Sequence, residues 1–82
     1  MLRSMGRKPK DQEARVLNRI EELRIAAGVS RQELADAVGV HYQTAGYIER
    51  GEYSPSLVLA LRIAKFLNLK VEDIFTIEGE AN

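Results

Sequence analysis

Apolar residues recur at helical spacing along most of this chain, and the breaks in that pattern fall at residues that start or stop helices. Val16, Leu17, Ile20, Leu23 and Ala27 follow one another with Glu21, Glu22 and Arg24 between them, which predicts an amphipathic helix ending at Gly28. Its start has two readings. The helix runs from Val16, or Arg15-Val16-Leu17 forms a short strand and the helix opens at Asn18, a favourable N-cap residue. Ser30, with Glu33 three residues on, makes a capping box and opens a helix Arg31 to Val38 that turns Leu34, Ala35 and Val38 to the core. Gly39 suits a turn of positive φ, and Val40 re-enters the core. The next helix runs from His41 or Tyr42 to Arg50, buries Ala45 and Ile48, and ends at Gly51.

After the loop Ser54-Pro55-Ser56, where either serine can cap, Leu57, Leu59, Ala60, Ile63, Ala64, Phe66 and Leu67 predict a helix that is apolar almost all round. Such a helix is central to a core or shared with a partner subunit. Asn68 stops it. Val71 to Phe75 form a last short helix, with Glu72 and Asp73 in the first turn, where the helix dipole favours carboxylates. Thr76 and Ile77 continue as an extended segment, and pairing of Arg15 to Leu17 with Thr76 to Glu78 would knit the two ends of the fold. The fold class is therefore all-α, five helices, with room for one short terminal β-pairing.

A chain of 82 residues supports one small domain with a single modest core. With no cysteine it has neither a disulfide staple nor a thiolate metal site, so tight helix packing or dimerisation has to supply stability. No apolar run approaches the roughly 18 residues a membrane span needs, and the basic N-terminus has no secretory core, so a cytoplasmic location is expected. The formal net charge of zero hides an asymmetry. Arg3, Arg7, Lys8 and Lys10 make residues 1–12 a flexible basic arm, and Glu78 and Glu80 make residues 78–82 an acidic tail. The folded unit is placed at residues 13–77.

The chemistry concentrates in residues 31–50. Two short helices meet through a glycine turn, with the small Ala35 facing it, which is helix-turn-helix spacing. Val40, Ala45 and Ile48 anchor the second helix, so Tyr42, Gln43, Gly46, Tyr47 and Arg50 form its outer face. The first turn of this helix, His41 to Thr44, is flat or hydrogen-bonding rather than charged, and Gly46, which costs about 1 kcal/mol of helix propensity against alanine, would admit a close backbone approach or leave room for a neighbouring tyrosine. A polar first turn of this kind can enter the DNA major groove and read base edges. His41, the only histidine, has no second ligand beside it, so no metal site is expected. Ser30, Ser54 and Ser56 have no base beside them. With no convergent catalytic set, no phosphate loop and no room for a deep pocket, an enzyme, a cofactor or a small-molecule ligand is not expected.

Residues 18–75 resemble the Cro/phage-repressor (XRE) family through VSRQELADAVGV, the helix-ending IERGEYSPS and the closing LNLKVEDIF. The similarity is greatest to short regulators that consist of little but this domain. The resemblance implies a Cro/repressor-like domain at 13–77 that binds double-stranded DNA as a homodimer on a twofold-symmetric operator, usually repressing. It implies base-reading positions at Tyr42, Gln43, Gly46 and Tyr47. It implies backbone contacts from Arg31, Gln32, His41, Thr44, Arg50 and the Gly51 to Ser56 loop, including Ser54. It further implies a pair between Arg24 and Glu49 that ties the recognition helix to the scaffold. The chain departs from the family's pattern at Ala45, often a large aliphatic, at Gly46 and Tyr47, often small or polar, and at Glu52, often lysine. Two other functions compete: an antitoxin-type regulator that also binds a toxin protein, and an interaction module that has lost DNA binding.

Overall fold

The computed structural model describes residues 14–79, so the expected basic arm at 1–12 and the last three residues of the acidic tail lie outside the described residues. The chain order is β1 (Val16–Asn18), α1 (Ile20–Ala26), α2 (Arg31–Val38), α3 (Tyr42–Glu49), α4 (Leu57–Leu67), α5 (Val71–Ile74) and β2 (Phe75–Ile77). Five helices surround one core, and the two strands form a short antiparallel ribbon with Val16 opposite Ile77, Leu17 opposite Thr76 and Asn18 opposite Phe75.

Of the two readings of the first element, the strand is the correct one, displaced one residue from Arg15–Leu17. Val16 and Leu17 are exposed rather than in a helical core face, and Ala27, at the C-cap of α1, is exposed too. Asn18 explains the switch from strand to helix. Its Oδ1 accepts the Ile20 N–H at 3.0 Å, while its Nδ2 donates to the Ile48 carbonyl at 2.9 Å. It thus caps α1 from one residue before the N-cap position, Arg19, and clasps the end of α3 with the same amide. Phe75, expected in the last helix, begins β2 instead, with extended angles of φ −118° and ψ 137°. Ribbon pairing outcompetes another helical turn there because β1 offers its backbone groups: the Arg19 N–H reaches the Ile74 carbonyl at 2.9 Å, and the Glu78 N–H reaches Arg15 at 2.8 Å.

The core joins Ile20, Leu34, Val38, Ile48, Ile63, Ala64 and Ile74, one or two from each helix, with Leu23, Val29, Val40, Leu59, Leu67, Val71 and Phe75 packed around them. The α2–α3 corner follows from its sequence. Ser30 Oγ accepts the Glu33 N–H at 3.0 Å and Glu33 Oε1 accepts the Ser30 N–H at 2.7 Å, closing the capping box. Gly39 takes φ 81°, where a side chain would be strained, and Ala35 is fully buried under the crossing. Ala45, in place of a larger aliphatic, borders a void of only about 10 Å³, so α3 has settled close to the core.

Helix α4 is less central than its composition suggests. Ala60, Ile63 and Ala64 are buried, but Leu57, Val58, Leu61 and Phe66 remain exposed, Leu57 by 70%. Its N-cap is Ser56, whose Oγ accepts the Leu59 N–H at 3.1 Å, while Ser54 is exposed in the preceding loop. Ser56→Ala should therefore cost about 1 kcal/mol in urea or thermal unfolding, and Ser54→Ala should stay within about 0.5 kcal/mol of the parent.

Candidate nucleic-acid interface

What fixes the position of α3 is a carboxylate placed between two guanidiniums. Arg24 from α1 meets Glu49 in bidentate fashion, Nε to Oε2 at 2.7 Å and Nη2 to Oε1 at 3.2 Å, and its Nη1 donates to the Val29 carbonyl at 3.1 Å. Arg31 from α2 adds a third bond, Nε to Glu49 Oε1 at 3.1 Å. The side chain of Glu49 is 1% exposed and that of Arg24 8%, against 25% for Arg31. The hydrogen bond to Glu49 raises the Arg24 pKa above its ordinary value, so this buried cation stays charged. The Arg24–Glu49 pair implied by the family resemblance is thus joined by an unforeseen third member, and the triad ties α1, α2 and α3 together.

With one side of α3 so held, the other faces outward. Tyr42, Gln43 and Tyr47 are exposed, Thr44 is half-buried, and Ala45 and Ile48 point inward. His41 is exposed at the N-cap position of α3 and makes no side-chain cap, so plain capping does not explain it. Gln32 is exposed at the start of α2 and donates to Asp36 at 2.9 Å. The end of α3 is closed by Gly51 at φ 78°, with the Glu52 N–H on the Tyr47 carbonyl at 2.8 Å and the Gly51 N–H on Ile48 at 3.0 Å.

The space at Gly46 is used differently from expectation. It was expected to admit a close backbone approach or a neighbouring tyrosine, yet two guanidiniums cover it. A Cβ at Gly46 would lie 3.0 Å from Arg50 Nη1 and 3.6 Å from Arg31 Nη1. Arg31 stacks over the Tyr42 ring and Arg50 over the Tyr47 ring, each 5.3 Å from the ring centroid. Arg50 Nε is held by Glu52 at 3.2 Å, which gives that departure from the family's pattern a local role. Arg31, Tyr42, Gln43, Gly46, Tyr47 and Arg50 together line one shallow cleft of about 130 Å³. Beside it, Tyr53 joins Thr44, Tyr47 and Glu52 around a wider, open cleft of about 480 Å³. Tyr53 was not singled out in the sequence, where it is one aromatic inside a polar loop. Spacing could have suggested the arginine over Gly46, since Arg50 follows Gly46 by one helical turn.

Among the described residues there is no group of three or more His, Cys, Asp or Glu placed to hold a metal, and no helix long and apolar enough to cross a membrane.

Comparison with known proteins bears on this geometry. Residues 20–74 match the family model described as helix-turn-helix. The chain is 48% identical over 63 residues to the uncharacterised HTH-type transcriptional regulator YgzD of Bacillus subtilis, covering 77% of this chain and 96% of that protein. It is 45% identical over 62 residues to an uncharacterised HTH-type transcriptional regulator of Archaeoglobus fulgidus, covering 76% and 87%. Among solved structures it is similar to the restriction-modification controller protein C.AhdI of Aeromonas hydrophila, with a TM-score of 0.64 and 36% identity over 67% of this chain and 83% of that one. It is also similar to the transcriptional regulator VanUg, with a TM-score of 0.69 and 28% identity over 96% of this chain and all of that one.

The triad makes a stability prediction. Glu49→Ala leaves two cations facing a buried gap and should destabilise the domain by about 3–5 kcal/mol in chemical denaturation. The double variant Arg24→Met/Glu49→Leu removes both buried charges and should lose distinctly less, because Arg31 can turn to solvent.

Proposed function

The chain belongs to the helix-turn-helix family of DNA-binding transcriptional regulators, and from that premise we propose that it is a repressor that binds an inverted-repeat operator as a homodimer. The observation that supports this reading is the division of α3 into two faces. One is clamped to α1 and α2 through Glu49, and the other carries Tyr42, Gln43 and Tyr47 outward around Gly46, which is buried under Arg31 and Arg50 rather than open to a base as expected. A rigid helix with a polar, projecting first turn is what readout of base edges in the major groove requires. Gln43 suits adenine, whose N6 amino group donates to, and whose N7 accepts from, a side-chain amide lying in one plane. Phosphate contacts are assigned to His41, Thr44, Gln32 and Ser54, while Arg31 and Arg50 give the face positive charge in a chain of zero net charge.

The dimer rests on the exposed apolar residues of α4, Leu57, Val58 and Leu61, with Ile77 and the half-buried Phe75 at the ribbon. A small domain without staples gains stability by covering such a surface. A twofold dimer then sets two recognition helices about 34 Å apart, one turn of B-DNA. In a cell such a protein works in the cytoplasm, where its operator is.

Selection of bound duplexes from a random pool should enrich an inverted repeat, with affinity falling steeply as salt rises. Absence of any enriched site would count against the reading. On the selected operator, Gln43→Ala should cost about 1–3 kcal/mol and relax preference at one position per half-site, with binding to random DNA unchanged. Leu61→Glu should yield a folded monomer by light scattering, with operator affinity reduced far more than affinity for random DNA.

A further inference from the structure

Gly46 sits in the middle of α3, where alanine would be the better helix former, and no crossing backbone requires it. What occupies the space over it is a pair of cations. Like charges this close repel, yet several local contacts hold them together. Each Nε is tied to a carboxylate, Arg31 to Glu49 at 3.1 Å and Arg50 to Glu52 at 3.2 Å. Each guanidinium plane also lies over a tyrosine ring, and the Tyr42 hydroxyl accepts a long bond from Arg31 Nη1 at 3.5 Å. With Nε engaged, the Nη ends are the parts left to meet a ligand, and both are turned in over the middle of the outer face of α3 rather than out to its rim.

We propose that Arg31 and Arg50, brought together over Gly46, form a guanine-reading pair that takes the O6 and N7 acceptors of guanine in the major groove. This rests on the operator-binding reading and deepens it. The chemistry favours guanine because its major-groove edge presents two acceptors in one plane, matching the two terminal N–H groups of a guanidinium. The position favours a base over a phosphate. The cleft under the two Nη ends is lined by Gln43 and the two tyrosines, the exposed side chains of the outer face of α3 to which base reading is assigned. Gly46 is then a specificity residue through its missing Cβ: a side chain there would meet Arg50 Nη1 at 3.0 Å and displace that end of the fork. Glu49 and Glu52 act as positioning residues that fix the planes of the two forks.

The test uses the duplex selected by the full chain. A guanine should be enriched in each half-site, and replacing it with 7-deazaguanine, which lacks N7, should weaken binding about tenfold. Arg50→Ala should bind the guanine and 7-deazaguanine duplexes equally. Gly46→Ala should lose the same discrimination while its Tm rises by about 5 °C, because the helix gains a better former and only the flexible end of Arg50 must move. A variant that is more stable yet less selective rules out misfolding as the cause. The proposal is overturned if 7-deazaguanine has no effect on the parent, or if Gly46→Ala keeps the discrimination. It is equally overturned if Arg50→Ala weakens both duplexes alike and a methylphosphonate at a neighbouring phosphate reproduces that loss, since Arg50 is then a backbone contact. Enrichment of an operator without guanine defeats this inference alone; no bound duplex at all defeats the operator reading with it.

Discussion

The Glu49 carboxylate, almost wholly removed from water between Arg24 and Arg31, is the constraint on which the rest of the site depends. A lone buried carboxylate would cost several kcal/mol, so it persists only because its oxygens are satisfied from two other helices. The arrangement is not an efficient source of stability, since apolar residues could fill the same space. What it supplies is geometry: three charged groups on α1, α2 and α3 have one good mutual arrangement, and sliding or rotation of α3 breaks it. The clasp of Asn18 on the Ile48 carbonyl and the glycine-closed end at Gly51 act on the same turn of the helix.

That restraint offsets a weak helix. Tyr42, Thr44 and Gly46 are poor or middling helix formers, and eight residues are too few to hold a helix in isolation. Tertiary anchoring through Ala45, Ile48 and Glu49 leaves the outer positions free of structural duty. They can be chosen for what they touch outside, which is why the residues least suited to the helix are the ones facing away from the core. Arg31 belongs to both systems. Its Nε completes the buried triad and its Nη end lies on the outer face, so one side chain links the orientation of the scaffold to that of the outer face of α3.

Much of this was legible in the chain. The capping box of Ser30 and Glu33, the turn at Gly39, the small Ala35 and the stop at Asn68 are local signals whose physics is complete within a few residues, and each element they bound is where they place it. The Arg24–Glu49 pair was reached only through the family resemblance. Elsewhere the signal was non-local. Whether residues 16–18 form helix or strand depends on Phe75–Ile77 being alongside, and the apolar content of both segments suits either state. The apolar surface of α4 stayed open between core and partner surface because composition does not say which side of a helix has neighbours. Arg31 was read as a DNA-backbone contact, and its bond to Glu49 was missed because that partner is eighteen positions away in sequence.

The account's central claim is that α3, held by Glu49, is the element that enters DNA. The most direct measurement is the change in backbone amide chemical shifts as the selected duplex is titrated into the labelled protein. The account predicts the largest changes at residues 41–47 and at Arg31 and Gln32, with α3 still helical and the Glu49 contacts intact. Changes centred on α4 and α5, with those residues unmoved, would contradict it.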